Sequence, residues 1–276
     1  MPRRSTKSRA SPLGRPTGYP ERYDASLLCS MPRAPQREAL GLTGAPPFRG
    51  VDLWTAYEIT WLDPRGKPEL AVGHVSVPAD SPRLVESKSL KLYLGSFAQE
   101  KLAGRAEVAR RIQADLERAC GASITVELES AGNARARRDD LPGESLDAIA
   151  IETDAYRPAP AFLTAAGPAV DESLHTALFR SCCPVTAQPD YGDVLIRYRG
   201  PRIDREGLLK YLVSYRGHAA FHEACVESIF VDVLRRCAPA ALSVYARFLR
   251  RGGIDINPFR SNFESAPPEH VRTRRQ

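Results

Sequence analysis

The segment from 221 to 236 reads FHEACVESIFVDVLRR and is the clearest helical pattern in this 276-residue chain. One helical face of the segment carries Phe221, Cys225, Ile229, Val233 and Arg236. Pro239 cannot continue a helix, so it predicts where this one ends. Beyond it, two extended runs are predicted over 241–249 and 254–259, separated by Gly252-Gly253.

The second half of the chain therefore combines helices with strands. Upstream of the 221–236 helix, the pattern predicts a strand over 193–199 and a shorter helix over 205–213. The first half has a similar order, with a helical pattern over 99–120 that Gly121 ends. Extended segments of the first half are predicted over 53–60, 70–77, 89–93, 123–129 and 146–152.

A Pro/Ala-rich segment, 153–170, separates these halves and is the predicted connection between them. The element order predicts an α+β fold of two tandem units, each an antiparallel sheet with helices packed on one face. We place the units at 25–155 and 171–264. No residue-level repeat relates the two halves, so the duplication rests on element order.

The charge of the chain is concentrated at its ends. The net charge is +6, but residues 1–20 alone carry five cations and no acid, and residues 265–276 carry three Arg and one Glu. We interpret 1–24 as a flexible basic leader and 265–276 as a basic tail, both solvated. Between these ends, residues 21–264 carry almost no net charge, which argues against a nucleic-acid partner.

Composition indicates a globular protein of the cytoplasm. The hydrophobic fraction is 43% and the mean hydropathy is −0.33, with no apolar run of the roughly 20 residues that span a bilayer and no signal-peptide pattern. The six cysteines show no CxxC spacing, which is typical of reduced thiols.

The run from Cys183 to Asp190 is the strongest candidate for chemistry. A thiol precedes a carboxylate by seven residues, and Pro184 and Pro189 stiffen the chain between them. A nucleophilic thiolate needs a proton acceptor or donor nearby, which the carboxylate would supply. A buried structural cysteine before a polar turn would look the same.

Three other motifs have both a functional and a structural interpretation. Glu86-Ser87-Lys88-Ser89 could bind a heterocycle and phosphate, or form a solvated loop before an apolar strand, with a serine that resembles a helix cap. Glu223, beside His222, could accept hydrogen bonds from a guanine-like edge or interact with the helix dipole. The cations and glycines of Arg250-Arg251-Gly252-Gly253 suit either phosphate or a hairpin bend.

Several common site types are not indicated. His222, Cys225 and Cys182 or Cys183 could be taken for zinc ligands, but no second closely spaced Cys/His pair supports a metal site. The chain has no GxGxxG after a strand, no GxSxG and no P-loop, which removes the Rossmann, serine-hydrolase and NTPase interpretations.

Together, four ordered motifs resemble the long form of the 7-cyano-7-deazaguanine reductases, nitrile reductases of queuosine biosynthesis. They are ESKSLKLY (86–93), CPVTAQPD (183–190), FHEACVE (221–227) and RGGIDINP (251–258). The resemblance implies the tunnelling fold, two such units in each chain, NADPH as cofactor, a homodimer or larger assembly, and no metal.

The resemblance also implies a role for each matched residue. Cys183 is the expected nucleophile and Asp190 the expected proton donor. The expected deazaguanine contacts are Val85, Glu86, Ser87, His222 and Glu223, and the expected NADPH contacts are Ser87, Lys88, Arg251 and Gly252.

Two rival functions stay open at the level of sequence. One is a zinc-dependent tunnelling-fold enzyme acting on a pterin or a GTP-derived substrate, and the other is a non-catalytic deazapurine-binding module. A separate hypothesis is that Cys182 and Cys183 make the site sensitive to oxidation, through pairing with another thiol.

Overall fold

The structure is a computed structural model that describes residues 18–20, 22–131, 140–268 and 272–276. Its strands are β1 (Ser30–Pro32), β2 (Arg49–Leu62), β3 (Pro68–Pro78), β4 (Arg83–Val85), β5 (Thr125–Ser130), β6 (Glu144–Ser145), β7 (Ala165–Cys182), β8 (Pro189–Ile203), β9 (Ala241–Phe248) and β10 (Ile254–Ser261). Its α-helices are α1 (Ala34–Ala39), α2 (Ser87–Gly95), α3 (Arg105–Cys120), α4 (Arg205–Val213) and α5 (His222–Cys237).

One sheet runs through both halves of the chain, in the order β5-β3-β2-β10-β9-β8-β7-β6. Neighbouring strands are antiparallel except for the short β6, which lies parallel to β7. The halves join where β2 pairs with β10, in register from Arg49↔Ser261 to Ala56↔Ile254. The α+β class with an antiparallel sheet is therefore confirmed. The unit boundaries at 25–155 and 171–264 remain a proposal.

Alternation along the strands places the helices on one face of the second-half sheet. Val194 and Ile196 of β8 and Val244 of β9 pack with α4 and α5 in one buried apolar cluster. Leu195 and Tyr245, one residue out of phase, pack on the opposite face in a smaller cluster. A period of two is the pattern that strands impose on side-chain direction. A separate cluster packs α2 and α3 against β2 and β3.

The predicted extended run 89–93 is wrong, because this segment lies within helix α2. The carboxylate of Glu86 accepts hydrogen bonds from the backbone N–H groups of Lys88 (2.5 Å) and Ser89 (2.9 Å), which caps the helix. Leu90, Tyr93 and Leu94 are buried at helical spacing. The cap is thus Glu86, and not a serine as the sequence suggested.

Three further predictions from periodicity need correction. The strand predicted over 146–152 is wrong, since pairing with β7 ends at Ser145 and Asp147 then binds the backbone N–H of Ala177 (3.1 Å). Helix α3 begins at Arg105 rather than near 99, because the N–H of Leu62 donates to Glu100 and the carbonyl of Leu62 accepts from Leu102 (each 2.9 Å). Strand β7 begins inside the segment that we interpreted as a connection.

The end of the chain is packed, so the prediction of a solvated tail is wrong for 272–276. Gln276 is 6% exposed, and its side chain donates to Asn257 Oδ1 (2.7 Å) and accepts from Arg247 Nε (2.9 Å). Arg275 pairs with Asp193 (3.2 Å). Near the other end, Tyr23 packs against the α2–α3 cluster. The prediction for residues 1–17 lies outside the described residues.

A buried network of charges ties the two halves together behind the sheet. Arg260 of β10 lies 2.8 Å from Asp52 of β2 and 2.9 Å from Glu227 of α5. Arg33 also pairs with Asp52, at 2.5 Å, and Arg37 also pairs with Glu227, at 2.8 Å. We call these five residues the junction network. It fixes α5, which carries Glu223 one turn before Glu227, against strands of the first half.

None of the helices in the described part of the chain combines the length and the apolarity that crossing a membrane requires.

Candidate active site

A cleft of about 280 Å³ opens between the two halves, beside the junction of β2 and β10. Nine of the ten residues that the sequence singled out line it: Val85, Glu86, Ser87, Lys88, Cys183, Asp190, His222, Glu223 and Arg251. The tenth, Gly252, lies in the turn that follows Arg251. Apolar side chains, among them Trp54 and Ile256, form part of the wall. The fold thus gathers motifs that are more than 130 residues apart in sequence.

The β7–β8 hairpin places the thiol of Cys183 and the carboxylate of Asp190 on one side. Ser181 lies opposite Asp190 in the ladder, and Cys183 follows two residues later, so strand alternation directs it to the same face. The loop is closed by the N–H of Cys183 donating to the carbonyl of Gln188 (2.9 Å). Cys183 is 8% exposed, so its sulfur faces the cleft rather than bulk water.

Asp190 is held between Arg251 and His222. The guanidinium of Arg251 bonds to one carboxylate oxygen, and Nε2 of His222 lies 3.5 Å from the other. Burial alone would raise the pKa of Asp190, but His222 and Arg251 outweigh it and the pKa lies below its ordinary value. The carboxylate is therefore ionised at neutral pH, and it can accept the proton of a neighbouring thiol.

His222 is the first residue of α5, and its ring stacks on Phe248 at a centroid distance of 3.8 Å and an angle of 8°. This contact orients the imidazole so that Nε2 faces Asp190. Phe248 belongs to β9, and its carbonyl accepts from the packed Gln276 (3.0 Å). The wall behind His222 is thus a rigid strand.

Glu223 is 3% exposed and lines the cleft. Burial, and the nearby Asp52, raise the pKa of Glu223 above its ordinary value. A ligand with N–H donors would offset the cost of keeping this carboxylate ionised and buried. The alternative role, interaction with the helix dipole, describes its position in the first turn of α5 but not its place in the cleft wall.

Glu86 is 1% exposed and already accepts two backbone N–H groups as the cap of α2. A carboxylate has about four acceptor positions, so capping leaves room for a ligand donor. Val85 and Ser87 flank it and also line the cleft. The two functions that the sequence offered for this motif, helix cap and ligand contact, are therefore compatible.

Lys91 is a site residue that the sequence analysis did not assign. It lines the cleft three residues after Lys88 on α2. Burial and Arg251 lower the pKa of Lys91, while Glu86, Asp190 and Cys183 act in the opposite direction. The helical spacing of Lys88 and Lys91 could have identified Lys91 as a site residue. The prediction of a strand over 89–93 hid this spacing.

The cations on this side of the cleft fit a phosphate-bearing ligand. Lys88, Lys91 and Arg251 lie beside a tight turn at Gly252 (φ +58°) and Gly253 (φ +80°). A Cβ at residue 252 would lie 3.1 Å from Cδ of Lys91, and the backbone is left-handed there, so glycine is required. Cations around a glycine turn suit the phosphates of a nucleotide cofactor.

The cysteines and acids do not form a metal site in the described ranges. No group of three or more His, Cys, Asp or Glu side chains is arranged there to hold a metal ion. All six cysteines are free, and burial raises the pKa of Cys225 to about 12. Cys182 is half-buried, and its Sγ lies 3.5 Å from the carbonyl oxygen of Arg216, away from the cleft lining. Its sensitivity to oxidation remains a hypothesis.

Comparisons with known proteins give one consistent result. Residues 19–128 match the family model described as "Nitrile reductase, 7-cyano-7-deazaguanine-reductase N-term", and residues 189–267 match that of "QueF-like protein". NADPH-dependent 7-cyano-7-deazaguanine reductases of Burkholderia orbicola (strain MC0-3) and Burkholderia ambifaria (strain MC40-6) are 52% and 53% identical to this chain. Each alignment covers 96% of this chain and 98% of the relative.

A solved structure, the archaeosine synthase QueF-Like in the apo form, also matches. It shares 20% sequence identity with a TM-score of 0.31, and covers 36% of this chain and 97% of its own.

Proposed function

Because this chain belongs to the family of NADPH-dependent 7-cyano-7-deazaguanine reductases, we propose that it reduces the nitrile of 7-cyano-7-deazaguanine to an aminomethyl group through a covalent thioimidate on Cys183. Its class, an NADPH-dependent oxidoreductase, follows from its relatives. The observation that carries the covalent step is the thiol of Cys183 and the ionised Asp190 in one cleft. The product would serve queuosine biosynthesis in tRNA.

The first step makes a carbon–sulfur bond. Asp190 takes the thiol proton as the sulfur of Cys183 adds to the nitrile carbon, and the same proton passes to the nitrile nitrogen. The result is a neutral thioimidate with no net gain or loss of protons. Its carbon is a better hydride acceptor than that of a nitrile. Because its pKa is lowered, Asp190 is ionised at neutral pH and can accept this proton, and because the same shift makes it a weak base, the proton passes on to the nitrogen.

The next steps reduce that carbon twice. Two NADPH molecules, bound one after the other, would each supply one hydride. Between them, the nitrogen is protonated, Cys183 leaves as a thiolate and an imine remains. Asp190 and His222 are the groups placed to deliver protons to the nitrogen. In sum, the nitrile gains two hydrides and two protons and becomes an amine, and Cys183 is regenerated.

Recognition of the deazaguanine would rest on buried carboxylates. Glu223 and Glu86 accept N–H groups of the ring, His222 stands beside them, and Val85 and Ser87 complete the contact. A heterocycle without those donors would leave carboxylates buried and unpaired, which disfavours it by several kcal/mol, or roughly 10⁴-fold. The site is therefore selective for a guanine-like edge.

The cofactor would lie across the cations at the mouth of the cleft. The proposed contacts are Lys88 and Arg251, with Ser87 and the backbone at Gly252. We add Lys91 to them because it lines the same side of the cleft. The chain would work in the cytoplasm as a homodimer, with no direct nucleic-acid partner. The rival zinc enzyme and the binding module are set aside, since the relatives are NADPH-dependent reductases.

The experiment that tests this function counts reducing equivalents. The purified protein is mixed with a limiting amount of 7-cyano-7-deazaguanine, and NADPH oxidation is followed by its absorbance. We expect two NADPH oxidised for each nitrile, and 7-aminomethyl-7-deazaguanine as the product by mass spectrometry. A ratio of one, or release of an aldehyde or amide, would contradict the proposal.

Glu223→Gln is expected to weaken binding of the nitrile by about 10- to 100-fold, since a hydrogen bond to a charged acceptor contributes about 1.5–3 kcal/mol. Titration calorimetry in a Cys183→Ala background measures binding without the covalent step. Glu58→Gln is the matched control, because Glu58 is an exposed carboxylate of β2 outside the cleft lining. Equal affinities of the Glu223→Gln and control proteins would remove Glu223 from the recognition site.

A further inference from the structure

Arg251 binds two residues, Gln188 and Asp190, at the end of the segment that follows the nucleophile. One guanidinium nitrogen bonds to the carboxylate of Asp190 and the other to the side-chain oxygen of Gln188. The Arg251 side chain is 24% exposed, whereas that of Asp190 is 4% exposed. The same cation is thus in contact with the proton-transfer group and open to the cleft where a phosphate-bearing cofactor would bind.

The backbone around this pair is rigid, so Arg251 can change partner only by moving its side chain. The N–H of Arg251 donates to the carbonyl of Ile254 (2.9 Å), across a two-residue turn at Gly252 and Gly253. Both glycines have the left-handed φ that this tight turn requires. Asp190 is fixed by its pairing with Ser181. A long, partly exposed arginine side chain is the mobile element.

We propose that Arg251 exchanges Asp190 for a phosphate oxygen of NADPH, so that arrival of the cofactor changes Asp190 from a proton acceptor into a proton donor. This inference rests on the proposed function. It gives Arg251 a positioning role in addition to holding the cofactor. Without cofactor, Asp190 is ionised and accepts the thiol proton as the thioimidate forms. With the cofactor bound and Arg251 withdrawn, Asp190 takes up a second proton from solvent more readily and passes it to the nitrogen that receives negative charge when the hydride arrives.

The charges around Asp190 give this exchange its direction. Arg251 faces the carboxylate from the β9–β10 turn, His222 from α5 and Lys91 from α2. The thiols of Cys183 and Cys225 are the other titratable neighbours. Burial favours the protonated acid, and the cations oppose it. Removal of one contacting cation therefore raises the pKa of Asp190.

The test measures adduct formation as a function of pH, without turnover. The protein is mixed with 7-cyano-7-deazaguanine and quenched, and the fraction carrying the adduct is read by intact mass. The rate falls on the acid side as Asp190 becomes protonated. We expect saturating NADP⁺, which cannot reduce the adduct, to raise the midpoint of that fall by about one pH unit in the parent.

Two variants decide whether Arg251 causes this shift. Without NADP⁺, the midpoint of Arg251→Met is expected to lie about one pH unit above that of the parent. NADP⁺ should then cause no further shift, at a concentration shown by titration to saturate the variant. Arg250→Met is the matched control, since Arg250 lies over the ring of Tyr57 (4.6 Å) rather than on Asp190. It should behave as the parent does, with and without NADP⁺.

Two results would overturn the exchange. One is a parent midpoint that NADP⁺ does not move, and the other is an equal NADP⁺ shift in Arg251→Met. Failure of the proposed function itself looks different, because the parent would then form no adduct at any pH.

Discussion

Cys183→Ala is expected to lose turnover by roughly 10⁴-fold or more, because removal of a covalent nucleophile leaves only the binding and electrostatic contributions. A nitrile accepts hydride poorly until sulfur has added to its carbon. The substitution removes one sulfur that lines the cleft and belongs to none of the apolar core clusters, so the fold should be retained. The rate of NADPH oxidation with the nitrile, together with circular dichroism, checks both statements.

Cys182→Ala is the control for that variant. Cys182 is adjacent in sequence, but it lies outside the cleft lining, and its Sγ is close to the carbonyl oxygen of Arg216. It should keep turnover within a few-fold of the parent. If Cys183→Ala reduced the nitrile at a comparable rate, the reaction would not pass through this sulfur.

Arg260→Met is expected to lower the free energy of unfolding by about 3–5 kcal/mol, since it leaves two buried carboxylates without their shared partner. Arg260 is 0% exposed and pairs with Asp52 and Glu227, which come from strands and helices of different halves. Burial alone would raise the pKa of Asp52 and of Glu227, but the arginines of the junction network hold both below their ordinary values. Urea denaturation measures the loss.

Arg199→Met is the control for Arg260→Met, because it makes the same substitution in an exposed ion pair on β8. Arg199 and Asp171 are 60% and 64% exposed at their side chains, so this pair contributes less than about 1 kcal/mol. The difference between the losses of unfolding free energy in the two variants separates the effect of burial from that of charge. Equal losses for the two variants would mean that the junction network does not hold the halves together.

Sequence periodicity predicted the elements whose own residues determine them. Helices α4 and α5 have clear apolar faces and clear ends, and both were predicted within one residue of their bounds. The predicted strands over 241–249 and 254–259 match β9 and β10 closely. Local pattern was sufficient there because the helix or strand period agrees with the burial that the fold imposes.

Elements set by distant partners were predicted less well. The sequence predicts a strand where helix α2 lies, since its dense apolar residues fit both periods and its cap is a glutamate rather than a serine. The sequence does not predict the start of strand β7, because the first part of the strand is largely exposed and lies within the Pro/Ala-rich segment. The packing of Gln276 depends on Arg247 and Asn257, which nothing near it in sequence identifies.

The site was predicted in outline but not in its electrostatics. Motif resemblance identified residues that now line one cleft, although they come from β4, α2, the β7–β8 loop, α5 and the β9–β10 turn. The pairing of Asp190 with Arg251 and His222, and the position of Lys91, required the structure. Such contacts depend on how the halves meet, and spacing along the chain does not determine that.

In the proposed mechanism, the sulfur of Cys183 bonds to the nitrile carbon before any electrons arrive. Intact mass spectrometry of the protein mixed with 7-cyano-7-deazaguanine, with NADPH withheld, detects that bond. We predict a gain equal to the full mass of the nitrile, mapped by peptide analysis to Cys183 and lost on addition of NADPH. Unmodified protein at saturating nitrile, or an adduct on another residue, would contradict the account.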